Sequence, residues 1–251
     1  MKRRCTKDVL DFDLEPKIVS PTLGLADDSY SDVVRYWILR IMVTMGSHKN
    51  MLYPQSVRDD EVFVAVGLGW ICEKEREGES DYKLALKGVS ELHDEISRTV
   101  IRVPSNRPLE SNLIWLAERL GLSQVDLEIL RFVVLVDDCD YLETALNRMS
   151  SHSLQTIQRM FSLVLGLSAE DVALALRPDG KLATCGLVTV DLGYSGGFTG
   201  KIELLKRLPD QLFNEHADPM HMLRERVVPG LPAKLTAANY QHVEADYTLI
   251  R

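Results

Sequence analysis

The sequence has no long apolar run, no paired cysteines and no excess of basic residues, and each absence excludes a class of protein. Its longest apolar stretch lies near residues 132–136, far short of the roughly 20 residues that a membrane-spanning helix needs. The four cysteines do not have the paired spacing of a disulfide framework or a zinc site, and we expect reduced, mostly packed thiols at Cys5, Cys72, Cys139 and Cys185.

The charge balance is acidic, with 37 Asp and Glu against 29 Lys and Arg and a net charge of −8 at pH 7. Sequence-independent DNA affinity comes mainly from Lys and Arg that neutralise phosphates, so a large DNA-binding surface is not predicted. The basic residues 1–4 are followed by acids where a signal peptide has its apolar region, namely Asp8, Asp11, Asp13 and Glu15. We therefore predict a cytoplasmic protein with no membrane partner.

Catalytic and metal-binding motifs of recognisable spacing are also missing. There is no Gly-x-Ser-x-Gly elbow, no His-Glu-x-x-His pair and no Cys-His nucleophile pattern. His216 and His221 are five residues apart, which places them poorly on one helix face, and no third ligand accompanies them. The sequence predicts no catalytic residue, no metal site and no enzyme activity for these residues themselves.

Helical periodicity is the main pattern that the sequence does contain. Apolar residues recur at three- and four-residue intervals from Tyr30 to Met45, with Gly46 just after, and again from Ala85 to Val100, before Pro104. The phrase Leu-Gly-Leu-Ser occurs at residues 120–123 and again at 165–168. Glycine can close one helix and serine can cap the next, so this phrase predicts two helix-turn-helix units.

The second helix-turn-helix unit is followed by the pattern of a β-hairpin. Gly186 is surrounded by Leu182, Leu187, Val188 and Val190, and Gly180 is expected to have a positive φ. A winged helix is predicted over about residues 154–192. The predicted fold class is therefore mainly α: a helical bundle with helix-turn-helix units and a winged-helix-like subdomain that carries a short β-hairpin.

Two segments imitate nucleotide-binding motifs. Gly196, Gly197, Gly200 and Lys201 form a weak, degenerate P-loop, in which Ser195 replaces the first glycine and Ile202 replaces the hydroxyl that holds magnesium. We favour a flexible glycine-rich loop and predict no bound cofactor; a degenerate nucleotide site is the alternative. The apolar run before Asp137 and Asp138 resembles a Walker B strand, but its spacing favours a helix that continues from Ser123.

The order of these pieces resembles the region that precedes the ATPase module in a group of bacterial AAA+ proteins. The resemblance covers about residues 30–251 and is carried by residues 112–117, 120–123, 165–168, 180–182 and 186–191, with residues 235–243 similar to the linker into the ATPase core. The sequence ends at Arg251, before any Walker or sensor segment of that family. The resemblance thus implies ATP, Mg²⁺, ATP hydrolysis and oligomerisation for a longer parent protein, and none of these for the segment itself.

We divide the chain into four predicted parts. They are a loose N-terminal segment (1–27), a helical unit (28–103), a helix-turn-helix and winged-helix-like unit (109–192), and a segment of glycine-rich loop, short helices and linker towards an ATPase core (193–251).

The partner that we predict is a protein substrate or adaptor, bound by the second helix of the winged-helix-like unit. That helix begins with two acids and offers no Asn or Gln to contact adenine, so protein contact is favoured over base contact. The predicted partner-binding residues are Glu170, Asp171, Leu174, Arg177 and Lys181. The alternative is a winged-helix DNA-binding regulator that holds phosphates with Lys201, Lys206 and Arg207.

Overall fold

The computed structural model describes residues 23–216 except 55, 80, 100, 192, 194 and 195. Twelve α-helices make up most of this part of the chain: α1 (Ser31–Thr44), α2 (Asp60–Ala65), α3 (Gly69–Arg76), α4 (Tyr82–Ser97), α5 (Pro108–Leu120), α6 (Gln124–Asp138), α7 (Asp140–Asn147), α8 (Leu154–Leu165), α9 (Ala169–Ala175), α10 (Lys181–Thr184), α11 (Phe198–Lys201) and α12 (Leu208–Leu212). Short 3₁₀ helices, Asp28–Tyr30 and Ser47–Asn50, flank α1.

Four short strands form two separate antiparallel pairs. They are β1 (Leu52–Tyr53) with β2 (Ser56–Val57), and β3 (Val188–Val190) with β4 (Ile202–Leu204). The second pair lies beside the helix-turn-helix formed by α8 and α9. The predicted fold class, mainly helical with a small antiparallel pair of strands, is confirmed. No helix in the described part of the chain is both long enough and apolar enough to cross a membrane.

Helix α1 packs against both the N-terminal helices and the helix-turn-helix region. It contacts α4 on one side and α7 and α8 on another. The helix predicted from Tyr30 to Met45 is confirmed, and Gly46 ends it in the left-handed conformation with φ of 72°. Trp37 is only 4% exposed, so it belongs to the core, as its spacing predicts.

Aromatic rings connect α6 to three other helices. The ring of Phe132 lies 5.0 Å from that of Trp37 in α1, 5.5 Å from Phe161 in α8 and 6.5 Å from Phe198 in α11. All residues from 129 to 136 of α6 are buried. The run that resembles a Walker B strand is therefore helical, as favoured, and it is apolar on every side because other helices surround it.

A buried ion pair joins α5 to α6. The Arg131 guanidinium donates through Nε to Glu110 Oε1 and through Nη2 to Glu110 Oε2, both at 2.8 Å, and Nη1 donates to Glu128 Oε2. The Tyr30 hydroxyl donates to Glu110 Oε1 at 3.3 Å. Burial alone would lower the pKa of Arg131, but the hydrogen bonds to Glu110 and Glu128 have the larger, opposite effect. The pKa is therefore raised above its ordinary value, and the guanidinium keeps its charge.

The two Leu-Gly-Leu-Ser phrases close and cap helices as expected. Gly121 and Gly166 are left-handed, with φ of 66° and 72°, after α5 and α8. Ser123 Oγ accepts from the Asp126 N–H, and the Asp126 carboxylate accepts in return from the Ser123 N–H, which completes a capping box. Both predicted helix-turn-helix connections are present.

The prediction of a hairpin within residues 182–190 is wrong, because the two strands that pair are not both in this segment. Residues 181–184 form the one-turn helix α10, and β3 instead pairs with β4, with Val188 opposite Leu204 and Val190 opposite Ile202. Gly186, with φ of 67°, follows α10 and does not turn a hairpin. Strands separated by an 11-residue connection leave no local turn pattern, so the sequence did not indicate the partner strand.

The expected positive φ of Gly180 is also wrong, because its φ is −68°. A Cβ at this position would lie 2.8 Å from the carbonyl oxygen of Ala175 and 3.0 Å from that of Arg177. Glycine is therefore required by the close approach of the chain to the end of α9, and not by left-handed geometry.

The predicted parts of the chain share one set of buried apolar residues, which runs from Leu23 to Leu212. Leu23 and Leu25, at the end of the segment predicted to be loose, are buried; residues 1–22 lie outside the described part. The segment 28–103 contains α1 to α4, and 109–192 contains α5 to α10 with β3. The pairing of β3 with β4 crosses the predicted boundary at 192.

Removing one partner of the buried ion pair should destabilise the fold strongly. We expect Glu110→Gln to lower the free energy of unfolding by about 3 kcal/mol or more, because Arg131 stays buried with less compensation. The measurement is urea denaturation at pH 7. The matched control is Glu91→Gln, which breaks the Lys87–Glu91 pair on the surface of α4 and should cost less than about 1 kcal/mol. Equal losses in the two variants would contradict the prediction.

Candidate protein-binding face

The residues predicted to bind a partner are in and just after α9, and we call them together the α9 face: Glu170, Asp171, Leu174, Arg177 and Lys181. Ser168 caps α9 by accepting from the Asp171 N–H. The opposite side of α9 buries Val172 and Ala175, so the positions three and four residues apart from Leu174 point outward together. All five predicted residues are exposed.

Leu174 is the most exposed large apolar side chain in the described part of the chain, at 51%. Its neighbours in sequence, Ala175 and Leu176, are each only 7% exposed. An exposed leucine between charged residues is unremarkable alone, since protein surfaces contain many apolar atoms. Here the next three residues, Ala175, Leu176 and Arg177, line an apolar groove.

The charged residues of the α9 face differ in what they already contact. Arg177 makes a two-point pair with Asp179, with Nε to Oδ1 at 2.9 Å and Nη2 to Oδ2 at 3.0 Å. Both side chains are largely exposed, so this pair contributes little to stability. Lys181 forms no ion pair with any described residue. Within the described part of the chain, Arg177 is therefore paired with a carboxylate and Lys181 is not.

The apolar groove lies next to the α9 face, between the start of α8, the end of α9 and β3, and has a volume of about 270 Å³. Its walls are mainly apolar: Leu154, Ala175, Leu176, Arg177, Pro178, Ala183, Val188, Thr189 and Val190. The sequence analysis missed this groove. Its residues come from four elements that only the tertiary fold brings together, and the one visible signal was the Val-Thr-Val alternation of β3.

A second, more polar cavity of about 520 Å³ lies between α6 and the β3–β4 pair. Asp137, Thr189, Glu203 and Lys206 line it. Although Asp137 is exposed, partial desolvation of its carboxyl raises its pKa, and the negative charges of Asp210 and Glu143 raise it further. The described residues contain no group of three His, Cys, Asp or Glu side chains that could hold a metal ion.

The residues of the degenerate P-loop are used for internal contacts. The Phe198 N–H donates to Asn147 Oδ1 at 2.8 Å, and the Phe198 ring is buried. The Thr199 hydroxyl donates to Glu143 Oε1 at 2.9 Å, which places a carboxylate where a phosphate loop needs positive charge. The Lys201 carbonyl accepts from the Asp191 N–H at 2.8 Å.

Gly196 and Gly197 precede the four-residue helix α11, and Gly200 lies inside it. At Gly197 a Cβ would be 2.2 Å from Asn147 Oδ1, so glycine permits the contact between this loop and α7. These contacts favour a structural role for the glycines. Ser195 lies outside the described residues. Thermal stabilisation by ATP with Mg²⁺ would contradict the structural interpretation.

The remaining candidate residues are dispersed. His216 contacts the Gln211 carbonyl through Nε2 at 2.6 Å, and His221 lies outside the described part. Cys72, Cys139 and Cys185 are free thiols, the first two buried. Of the basic residues considered for DNA, Lys201 is half-buried, and Lys206 and Arg207 are exposed just after β4.

The contact between Gly197 and Asn147 can be tested by a double-mutant cycle. Gly197→Ala should lower the free energy of unfolding by about 1–3 kcal/mol, because Asn147 must move and the partly buried Phe198 N–H loses its acceptor. In an Asn147→Ala background the same substitution should cost less than about 0.5 kcal/mol, since that bond is already absent. Additive losses, measured by denaturation of all four proteins, would show that the contact does not hold the loop.

Substitution of Asp137 by Asn should raise the melting temperature at neutral pH but not in acid. A carboxyl with a raised pKa in the fold opposes folding when it is ionised, and this cost disappears as the pH falls through the raised value to below about 3.9. We expect Asp137→Asn to have a higher melting temperature than the parent at pH 7 and the same one near pH 3.5. Glu73→Gln, at an exposed position of α3, is the control and should change neither. An equal gain at both pH values would contradict a titration effect.

Comparisons with known proteins identify no relative, so any functional proposal must be argued from the residues and their geometry. The chain matched no protein-family model, no curated protein and no solved structure. The resemblance to the region before the ATPase module of bacterial AAA+ proteins therefore stays a prediction from the residues quoted for it.

Proposed function

We propose that this chain is a non-catalytic recognition module of a AAA+ ATPase, and that its α9 face binds a protein substrate or adaptor. The observation that carries the proposal is Leu174, a 51% exposed leucine that lies in the sequence between acids and bases, one of which, Arg177, lines an apolar groove. Apolar patches with polar rims are typical of protein-binding surfaces. In this proposal the module delivers its partner, in the cytoplasm, to an ATPase ring that remodels it.

The link to an ATPase rests on the resemblance alone. ATP and Mg²⁺ would be bound by the ATPase module, and the chemistry of hydrolysis would belong there. The present chain would bind the partner protein and position it for the ATPase module. The contacts of the glycine-rich loop agree with this division. The Phe198 N–H and the Thr199 hydroxyl, which could otherwise donate to a phosphate, donate to Asn147 and Glu143.

The charges of the α9 face favour protein over DNA as the partner. Glu170 and Asp171 are exposed at the start of α9, where a DNA-contacting helix would meet phosphates and base edges. Carboxylates at that position repel the DNA backbone. Arg177 is compensated by Asp179, which reduces its availability further.

Photo-crosslinking at Leu174 tests the proposal. A photoreactive amino acid placed there in the full-length protein, in its native cells, should capture a protein that is lost at least 10-fold when Arg177 and Lys181 are both changed to Glu. The control places the same amino acid at Ile114, a 47% exposed residue of α5, which should not capture that protein.

Two outcomes would contradict the proposal. One is that positions 174 and 114 capture the same proteins in equal amounts. The other is that duplex DNA binds at low salt, where phosphate contacts are strongest, and that Lys206→Glu with Arg207→Glu abolishes this binding. The second outcome would establish the DNA-binding alternative.

A further inference from the structure

The polar cavity between α6 and the β3–β4 pair has the size of a small-molecule site. Its volume of about 520 Å³ is within the roughly 300–1,000 Å³ that such sites have. Its lining residues come from α6, α11, β3 and β4. The pairing of β3 with β4 and the contact between Phe132 and Phe198, whose ring centroids are 6.5 Å apart, hold these elements together. The walls of the cavity are therefore fixed by the packing of the core.

The lining of this cavity combines both signs of charge with apolar surface. Asp137, Glu203 and Lys206 line it, and all three are exposed to solvent. Leu204 and Leu205, which also line it, are half-buried and provide accessible apolar surface. One ligand that enters from solvent can therefore reach charged and apolar groups together.

The three charged side chains of the cavity do not neutralise one another. No ion pair or hydrogen bond joins Asp137, Glu203 or Lys206 to another residue in the part of the chain that the structure describes. A single exposed charge without a partner is ordinary on a protein surface, because water solvates it. Here opposite charges line one cavity and remain apart, so a ligand that carries both charges can pair with all of them.

The surroundings of Asp137 favour a cation. Partial desolvation of the carboxyl raises its pKa, and the negative charges of Asp210 and Glu143 raise it further. A cation close to a carboxylate has the opposite effect on its pKa, so Lys206 does not compensate this group. A ligand ammonium beside Asp137 would reduce the repulsion among the three carboxylates.

Lys206 and Thr189 offer donors to an anionic group of the same ligand. The Lys206 ammonium has three N–H donors. The Thr189 side chain is half-buried and lines the cavity, and its hydroxyl makes no hydrogen bond with any residue that the structure describes. A carboxylate only accepts hydrogen bonds and forms its strongest ones with charged donors, so it matches this pair of side chains.

The mixture of charges disfavours simpler ligands. A phosphate or a nucleotide would bring further negative charge towards Asp137 and Glu203. A plain amine would leave Lys206 without a counter-charge. The described residues contain no group of three His, Cys, Asp or Glu side chains that could hold a metal ion.

We infer that this cavity binds a small zwitterion, an amino acid or dipeptide with an apolar side chain. Its ammonium pairs with Asp137 and Glu203, its carboxylate pairs with Lys206, and its side chain packs on Leu204 and Leu205. The inference is independent of the proposed function, because no residue of the α9 face lines the cavity.

The test begins with isothermal titration calorimetry on the unmodified full chain. The probes are leucine, phenylalanine and the dipeptide leucyl-phenylalanine, and we expect at least one of them to bind with a Kd below about 1 mM. The tighter class, amino acid or dipeptide, identifies the source of the zwitterion. The N-acetylated form of the best probe lacks the ammonium and its amide lacks the carboxylate, so each should bind about 10-fold more weakly or worse. Glycine, which lacks the apolar side chain, should also bind more weakly.

Protein variants locate the probe in the cavity. Asp137→Asn and Lys206→Gln should each weaken binding of the best probe by about 10-fold or more, because each removes one charge pair. The matched controls are Glu73→Gln and Lys181→Gln, which change exposed charges that do not line the cavity and should leave the Kd within about 2-fold. Lys206→Glu should reverse the preference, so that the amide binds more tightly than the free acid.

Three results would overturn the inference. The first is that none of the three probes binds at about 10 mM, well above the expected Kd. The second is that the amide and the free acid bind the unmodified chain equally, which would mean that no group of the cavity pairs with the carboxylate. The third is that the control variants lose as much affinity as the cavity variants. The ligand series uses the unmodified chain and gives its answer even if a variant does not fold.

Discussion

The buried contact between Arg131 and Glu110 is the constraint on which the arrangement of the helices depends. A charged guanidinium inside a helical core must be compensated by carboxylates at hydrogen-bonding distance, or burying it costs several kcal/mol. Glu110 provides two such bonds from α5 and also accepts from the Tyr30 hydroxyl at the start of α1. One side chain of α6 therefore determines where α5 and the beginning of α1 can lie.

The next residue of α6 organises the other half of the core. Phe132 contacts aromatic rings from α1, α8 and α11. The ring from α11 belongs to Phe198, which directly follows Gly196 and Gly197, so this contact also positions the glycine-rich loop. Asn147 fixes the same loop from α7 by accepting from the Phe198 N–H. Because β4 starts directly after α11, these contacts also place β4, and through its pairing they place β3 and the groove beside it.

A surface assembled in this way suits recognition more than chemistry. The nucleophiles and carboxylates of the described residues are dispersed or committed to internal contacts, such as Glu143 with Thr199. By contrast, Arg177 of the α9 face lines the apolar groove together with the three residues of β3.

The sequence by itself determined the helix over Tyr30–Met45, the helix that begins near Ala85 and the caps of the two helix-turn-helix units, because periodicity and capping are local properties of neighbouring residues. It correctly indicated the helix of Trp37 and the capping box of Ser123. It did not determine the partner of β3, the reason for Gly180 or the groove. Those depend on residues far apart in the chain, such as Val190 with Ile202 and Gly180 against the Ala175 carbonyl. Only the tertiary structure decided them, because close approach between distant segments leaves no periodic pattern in either segment.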